Sequence, residues 1–174
     1  MYDVIVIGAG PAGISASLYL KRANINVLII SKGYGALEKA HKIENYYGLE
    51  KNISGKDLFN IGVNQAKNIG IEIIEDEVTG ISLEDNYVFT ITTINKQYTA
   101  KKVILATGTN RKVPHIKGIK EYEGKGISYC AICDAFFYKG KDVGVLGSGN
   151  YALHEASQLK PLVNSVTIFT NGEE

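Results

Sequence analysis

The sequence predicts an α/β protein whose parallel sheet is buried on both faces. Runs of consecutive apolar and mostly β-branched residues, typical of strands covered on both sides, occupy residues 4–7, 27–30 and 103–106. A helical pattern at residues 14–20 follows the first run, so the chain begins as β-α-β. Residues 141–169 repeat the succession of strand, glycine turn, helix and strand. We therefore expect two units of related architecture.

A glycine-rich turn joins the first strand to the first helix. Gly8, Gly10 and Gly13 have the spacing G-x-G-x-x-G, with Pro11 and Ala12 between them. In such a turn the first glycine permits a tight bend, the second lets a pyrophosphate approach the backbone, and the third lets the helix pack closely on the strand. A tightly packed turn without a ligand is the alternative, but the β-α-β context favours a bound nucleotide.

Ribose recognition departs from the common pattern of these turns. An acidic residue usually ends the second strand, whereas this strand leads into Ser31 and Lys32. The nearest carboxylate, Glu38, comes several residues later. Lys32 or Glu38 is therefore the candidate contact for a ribose.

The next segment is predicted as a long loop followed by a helix. The polar connection at residues 33–48 either carries function or is a plain surface loop, and its composition does not decide between the two. Ser54 or Gly55 is expected to cap a helix that extends to about Lys67.

An antiparallel insertion is predicted between this helix and the third buried strand. A short strand at residues 71–74 precedes three segments in which apolar and polar residues alternate, at residues 78–83, 87–94 and 97–102. The buried strand at residues 103–106 then ends in Thr107 and Gly108, at the edge of the sheet where open α/β folds bind ligands. A plain strand ending explains the same two residues.

A crossing rich in glycine and lysine, from Pro114 to Gly126, leads to the second unit. There a strand at residues 141–146 runs into a second turn of the form G-x-G-x-x-A, which contains Gly147, Gly149 and Asn150. Because a single β-α-β is not a domain, we expect the second unit to be incomplete as given.

The only two cysteines, Cys130 and Cys133, lie between the two glycine turns and are followed at once by Asp134. Zinc would require four ligands, and the three histidines lack finger-like spacing. A disulfide that only stabilised the fold would close a loop of very few residues, so it would constrain the unfolded chain very little. A pair that cycles between thiols and a disulfide fits best. Asp134 would carry protons in that cycle, or else it is a capping or surface carboxylate.

Composition and charge exclude several classes of protein. The 174 residues have a net charge of +1, which gives no long-range attraction to nucleic acid or anionic lipid. We find no apolar run of membrane-spanning length and no signal-like N-terminus, so we expect a cytoplasmic protein without a nucleic-acid or membrane partner. In that reducing compartment a cysteine pair that stays oxidised would be unusual.

In their order, these motifs resemble the low-molecular-weight thioredoxin reductases of the FAD-dependent pyridine nucleotide-disulfide oxidoreductase superfamily. The resemblance extends from Tyr2 to the end of the chain. It is carried by both glycine turns, Glu44-Asn45, Ala106-Thr107-Gly108, and Cys130 to Asp134 with Phe136-Phe137-Tyr138. It implies a Rossmann-like, three-layer FAD-binding domain over residues 1–112 and an incomplete NAD(P)H-type domain over residues 113–174.

The resemblance also implies roles for individual residues. Cys133 would be the thiol nearest the flavin, Cys130 the one that attacks the disulfide of thioredoxin or a similar small dithiol protein, and Asp134 the general acid and base. The enzyme would be a homodimer. Besides the first turn, the FAD shell would include Ser31, Lys32, Asn45, Val78, Ala106, Thr107 and Gly108. Gly147, Gly149 and Asn150 would form the pyridine nucleotide turn.

Departures from the family pattern leave the electron donor open. Where a basic cluster would bind the 2′-phosphate of NADPH, residues 169–174 contain no arginine and end in two carboxylates. The Gly-Gly-Gln segment of the flavin-facing loop is replaced at residues 34–39. Both changes resemble the ferredoxin-dependent flavin thioredoxin reductases, which lack a pyridine nucleotide site, although the acidic ending would also suit NAD. Since the family's last FAD-binding segment is missing from this sequence, a non-catalytic flavin- or nucleotide-binding fragment is a further alternative.

Overall fold

A computed structural model describes residues 1–109 and 113–172 of the chain. The chain forms two compact units, Met1–Lys112 and Val113–Glu174, and each has a sheet of its own. Glu173 and Glu174, which entered the expectation about the electron donor, lie outside the described residues. Within the described ranges, no helix is both long and apolar enough to cross a membrane.

Over residues 1–109, the first unit contains six strands and two α-helices. In chain order they are β1 (Tyr2–Ile7), α1 (Pro11–Arg22), β2 (Val27–Ser31), α2 (Gly55–Asn68), β3 (Glu72–Glu75), β4 (Val78–Leu83), β5 (Phe89–Thr93) and β6 (Gln97–Leu105), with a 3₁₀ turn at Gly35–Lys39 before α2. The strand order in the sheet is β3-β2-β1-β6-β5-β4. β1 lies parallel between β2 and β6, and β4 and β5 are antiparallel.

Both faces of the parallel strands are covered, which produces three layers. Alternate side chains of β1 and β2 point to opposite faces, as the consecutive apolar runs predicted. Val4, Val6, Val27 and Ile29 pack with residues of α1 and α2. Ile5, Ile7, Leu28 and Ile30 pack with Ile91 of the antiparallel strands. The predicted α/β class with a Rossmann-like first unit is confirmed.

The antiparallel insertion is continuous with the parallel sheet, which corrects the prediction of two separate segments at residues 97–102 and 103–106. β6 is one strand that pairs antiparallel with β5 and parallel with β1. Ala100 lies opposite both Phe89 and Tyr2. Residues 98–105 contain no glycine, proline, asparagine, aspartate or serine, so no turn-forming residue interrupts the strand.

The second unit is smaller. It contains α3 (Ile119–Tyr122), α4 (Ala131–Asp134), a 3₁₀ turn (Ala135–Tyr138), β7 (Asp142–Leu146), α5 (Gly149–Leu159) and β8 (Ser165–Phe169). β7 and β8 are parallel, with Val143 opposite Val166. Ala131, Ala135 and Leu159 form a small core with the valines of these strands. The sheet therefore holds α4 and α5 on a common apolar base.

Both helices that follow a glycine turn begin earlier than predicted. α1 begins at Pro11 rather than at Ile14, and α5 begins at Gly149 rather than at Leu153. Proline is favourable at the first helical position because its φ angle is already close to the helical value. The glycine turns therefore include the first turn of each helix, so backbone N–H groups of the motif lie at the helix N-terminus.

The Tyr2 side chain gives a prediction for alkaline stability. Its hydroxyl donates to Glu72 Oε2 at 2.7 Å, and burial, followed by this hydrogen bond, raises the pKa of Tyr2 from 10.0 to about 12. Since the neutral phenol is favoured in the fold, its contribution is complete below pH 10 and is lost as the pH rises through about 12. We expect the difference in unfolding free energy between the wild type and Tyr2→Phe to shrink over this interval, as measured by urea denaturation. A pH-independent difference would contradict the assignment.

Candidate functional site

The first glycine turn is closely packed at two of its three glycines. Gly8 has a φ of +111°, and a Cβ atom at this position would overlap the carbonyl oxygen of Ala106. A Cβ atom at Gly13 would overlap the carbonyl oxygen of Gly8 and would lie 3.3 Å from the Ala106 Cβ. Gly8 N also donates to Ile30 O at 2.8 Å. The turn therefore fixes the ends of β1, β2 and β6 against the start of α1.

Gly10 occupies a different environment. A Cβ atom at Gly10 would have no described atom within 4 Å, so this side of the turn is open. α1 has no acidic residue in its first turn, and no side chain among the described residues caps its N-terminus. The first N–H groups of a helix have no intrahelical acceptors, so they can donate to an anion. The open side of the turn and its N–H groups fit a dinucleotide pyrophosphate.

The two candidate ribose contacts are engaged in ion pairs. Lys32 Nζ lies 2.6 Å from Glu77 Oε1, and Lys56 Nζ lies 3.2 Å from Glu38 Oε1. Ser31 Oγ donates to the carbonyl oxygen of Gly33 at 3.2 Å. Ser31 ends β2 beside the glycine turn, whereas Glu38 belongs to the 3₁₀ turn that precedes α2. Geometry thus favours Ser31 and Lys32 over Glu38 as neighbours of a nucleotide at this edge.

The other residues of the first unit that are predicted to bind a cofactor do not all lie together. Val78 and Thr107 line a hollow of about 360 Å³ at the end of the parallel strands, together with Ile7 and Leu105. Gly108 follows in an exposed segment and has a positive φ of 69°. Asn45 is exposed in the irregular segment that the Ile43–Ile53 bridge closes. The structure therefore assembles the candidates at the strand ends with the first turn, and it leaves Asn45 on a surface loop.

The second glycine turn is open at Gly149, as the first is at Gly10. Gly147 has a φ of +150°, and a Cβ atom there would lie 3.4 Å from the Ala152 Cβ. A Cβ atom at Gly149 would have no described atom within 4 Å, and Asn150 is exposed in the first turn of α5. Thr170, Asn171 and Gly172 follow β8. This ending supplies no cation within the described residues.

Cys130 and Cys133 form a disulfide, with their Cα atoms 5.3 Å apart. Cys130 is the N-cap of α4, and its Sγ accepts the Cys133 N–H at 3.2 Å. Ala131 and Ala135 anchor the segment in the core of the second unit. Cys133 is exposed and Cys130 is half-buried. The pair is therefore presented at the surface on an anchored helical turn.

Asp134, the residue that follows Cys133, is held by two contacts. Its backbone N–H donates to Cys130 O at 3.1 Å, and its Oδ2 accepts the Ser128 hydroxyl at 2.5 Å. Burial raises the pKa of the Tyr138 phenol, and the charge of Asp134 adds to that rise. A carboxylate, a hydroxyl and a disulfide thus lie within one short stretch of chain.

Glu155 connects this stretch to the helix of the second glycine turn. Its Oε2 accepts the Ala131 N–H at 2.7 Å, and Glu155 belongs to α5. We expect Glu155→Ala to lower the unfolding free energy by about 1–3 kcal/mol because a partly buried N–H loses its acceptor. Glu155→Gln keeps an acceptor oxygen and should retain most of the stability. Thermal and urea denaturation of the two variants measure this difference, and equal losses would contradict the assigned hydrogen bond.

Sequence reasoning missed Ser128, Glu155 and Glu77. Ser128 precedes Cys130 by two residues, so its proximity was the one available signal. Glu155 lies 24 residues from Ala131, and Glu77 lies 45 residues from Lys32. Only the folded arrangement reveals those two contacts.

Comparisons with known proteins give a consistent result. The family model described as pyridine nucleotide-disulphide oxidoreductase matches residues 2–174. The chain is 43% identical over 169 residues to a thioredoxin reductase of Treponema pallidum, covering 96% of this chain and 55% of that protein. It is 40% identical over 173 residues to a thioredoxin reductase of Ureaplasma parvum, covering 98% and 55%.

A solved structure shows the same architecture. The crystal structure of thioredoxin reductase from Streptococcus pyogenes matches with a TM-score of 0.89 and 36% sequence identity. The match covers 97% of this chain and 55% of that one. The chain therefore spans about half the length of the relatives it matches.

Proposed function

Because the chain belongs to the pyridine nucleotide-disulphide oxidoreductase family, we propose that the protein is a flavin-dependent disulfide reductase that acts on thioredoxin or a similar small dithiol protein. The observation that carries the proposal is the Cys130–Cys133 disulfide, presented at the surface with Asp134 held beside it. A disulfide that only stabilised the fold would gain little from closing so short a loop.

The first glycine turn supports FAD as the resident cofactor. The open side of Gly10 and the N–H groups at the start of α1 would hold the pyrophosphate, while Gly8 and Gly13 keep the strand ends close. Ser31 and Lys32 would contact the adenosine ribose. Ala106, Thr107, Gly108 and Val78 would line the edge that faces the rest of the cofactor, and Asn45 would reach it from the surface loop. When bound, FAD supplies the electron pair that opens the disulfide.

The cysteines then perform disulfide exchange. Reduction of the disulfide by two electrons breaks its S–S bond and, with two protons, leaves two thiols. The Cys130 thiolate attacks the partner's disulfide, forming a mixed disulfide and releasing one partner thiol. The Cys133 thiolate attacks the Cys130 sulfur, which restores the disulfide and releases the second partner thiol. Asp134 takes up or delivers the protons of these steps.

The proposal has two forms, which differ in the electron donor: a pyridine nucleotide or reduced ferredoxin. Gly147, Gly149 and Asn150 form a turn suited to a pyridine nucleotide, which would deliver a hydride. Residues 170–172, the described residues that follow β8, carry no cation for the 2′-phosphate of NADPH, so NADPH is the least favoured of the three donors, beside NADH and reduced ferredoxin. We further propose that the enzyme is a cytoplasmic homodimer.

An anaerobic titration of the full-length flavoprotein tests these forms. NADPH, NADH and reduced ferredoxin are added separately while the flavin absorbance is followed. Bleaching by a pyridine nucleotide supports the hydride form, and bleaching by ferredoxin alone supports the other. No reduction of thioredoxin with any of the three donors would overturn the proposed function.

A non-catalytic flavin- or nucleotide-binding module is the second candidate, because the glycine turns, open at Gly10 and Gly149, could bind a nucleotide whether or not the disulfide is reduced. This second candidate predicts a yellow protein in which reduction of the flavin leaves the disulfide oxidised. Absorbance and a thiol count on the purified chain therefore separate it from the enzyme.

A further inference from the structure

Ser128 joins the two parts of the redox site. Its Oγ accepts the backbone N–H of Cys130 at 3.2 Å and lies 2.5 Å from Asp134 Oδ2. It also lies 3.4 Å from the carbonyl oxygen of Cys130. The side chain is partly buried in the segment that precedes α4. One hydroxyl therefore contacts both the cysteine backbone and the neighbouring carboxylate.

The single hydroxyl proton determines which contact is the stronger. A serine hydroxyl can donate once and accept through two lone pairs. Asp134 Oδ2 is 0.9 Å closer than the Cys130 carbonyl oxygen, and a carboxylate accepts more strongly than a neutral carbonyl. The proton is therefore directed to Asp134, while the lone pair holds the Cys130 N–H. This arrangement fixes the carboxylate relative to the backbone of Cys130.

We propose that Ser128 is a positioning residue that holds Asp134 at the disulfide and thereby sets the rate of proton transfer in disulfide exchange. This inference rests on the role proposed above for Asp134. The first side-chain torsion of Asp134 has three staggered rotamers, and two of them would move the carboxylate oxygen away from Ser128. Loss of the Ser128 hydroxyl would let the carboxylate occupy those positions.

Reduction by dithiothreitol isolates the step, because it needs no flavin chemistry. A dithiothreitol thiolate attacks one sulfur of the Cys130–Cys133 disulfide, forming a mixed disulfide and displacing the other sulfur, which takes a proton. The second dithiothreitol thiol then closes its ring and releases the first sulfur as a thiol. The reagent loses two electrons and two protons, and the cysteine pair gains them. A positioned carboxylate accelerates the proton transfers.

The experiment compares wild type, Ser128→Ala, Asp134→Asn and the double variant in the full-length flavoprotein. Second-order rates come from quenching the new thiols with a maleimide at successive times. We expect Asp134→Asn to slow the reaction by about a hundredfold and Ser128→Ala by about tenfold. The double variant should match Asp134→Asn, because Ser128 has nothing left to position.

Two further variants control for folding. Ser128→Thr keeps a hydroxyl and should restore most of the rate lost in Ser128→Ala. Ser157→Ala removes another hydroxyl of the second unit, one that donates to His154 O at 2.7 Å, and should leave the rate unchanged. Thermal denaturation of each protein identifies a variant that fails to fold; if Ser128→Ala does so, Ser128→Gly, which also lacks the hydroxyl, takes its place in the comparison and should show the same loss of about tenfold.

The outcomes separate this inference from the proposed function. Independent, multiplicative losses from Ser128→Ala and Asp134→Asn, or an unchanged rate in Ser128→Ala, would overturn the positioning role while leaving Asp134 as the acid and base. A folded Ser128→Thr variant as slow as Asp134→Asn would overturn it as well. An unchanged rate in Asp134→Asn would overturn the proposed proton-transfer role and this inference with it.

Discussion

Cys130→Ser is expected to reduce the turnover of a thioredoxin-type substrate by more than about a thousandfold while leaving the flavin bound. A serine hydroxyl cannot form the mixed disulfide through which exchange proceeds. The disulfide belongs to the second unit, whereas the turn proposed to hold the pyrophosphate belongs to the first. Steady-state reduction of thioredoxin and the flavin absorbance of the same sample measure the two effects.

The matched variant Cys133→Ser tests which sulfur attacks the partner. The proposed order of steps predicts that Cys133→Ser accumulates a covalent complex with thioredoxin through Cys130, because the resolving thiol is missing. Cys130→Ser should form no such complex. The test is informative because exposure alone would favour the opposite order. Cys133, the proposed resolving thiol, is exposed, whereas Cys130, the proposed attacking thiol, is half-buried. If Cys130→Ser forms a stable complex and Cys133→Ser does not, the two assignments are reversed.

Gly13→Ala should destabilise the first unit and remove the flavin together with the fold. The added Cβ would overlap the carbonyl oxygen of Gly8, which belongs to the backbone and cannot rotate away. Overpacking of this kind typically costs about 1–3 kcal/mol, and displacement of α1 would add to it. Urea denaturation and flavin retention after gel filtration measure the two losses.

Gly10→Ala is the matched control for Gly13→Ala. A Cβ atom at Gly10 meets no described atom within 4 Å, so the fold should retain its stability to within about 1 kcal/mol. The methyl group would project into the open side of the turn, where the pyrophosphate is proposed to lie, so flavin affinity should fall. A Gly10→Ala variant that binds flavin as tightly as wild type would place the cofactor elsewhere.

The buried strands and both glycine turns could be predicted from the sequence because their signals are local. Four consecutive β-branched residues in β1 require burial on both faces, and the structure provides it with α1 and α2 on one side and β5 on the other. The continuity of β6 was missed because its two halves pair with different strands, which split one strand into two patterns. The short helical turns around Cys130 are below the length at which periodicity is visible.

The sequence could predict the candidate reactive groups of the site, but it could not predict the residues that contact them. Cys130, Cys133 and Asp134 lie within five residues, so the sequence alone indicated a redox pair beside a carboxylate, whereas the role proposed for each residue came from the family resemblance. Glu155 contacts Ala131 only because α5 and α4 share one apolar base. Only proximity to Cys130 distinguishes Ser128 in the sequence from an ordinary loop serine, and its proposed role rests on the contact with Asp134 Oδ2 that the fold creates.

The most direct test of the account is anaerobic photoreduction of the flavin in the full-length protein, followed by a count of free thiols. Electron transfer to the cysteine pair predicts that two thiols per chain appear while the flavin absorbance recovers. The Cys130→Ser, Cys133→Ser double variant should stay bleached. A wild-type protein that stays bleached with its disulfide intact would contradict the account.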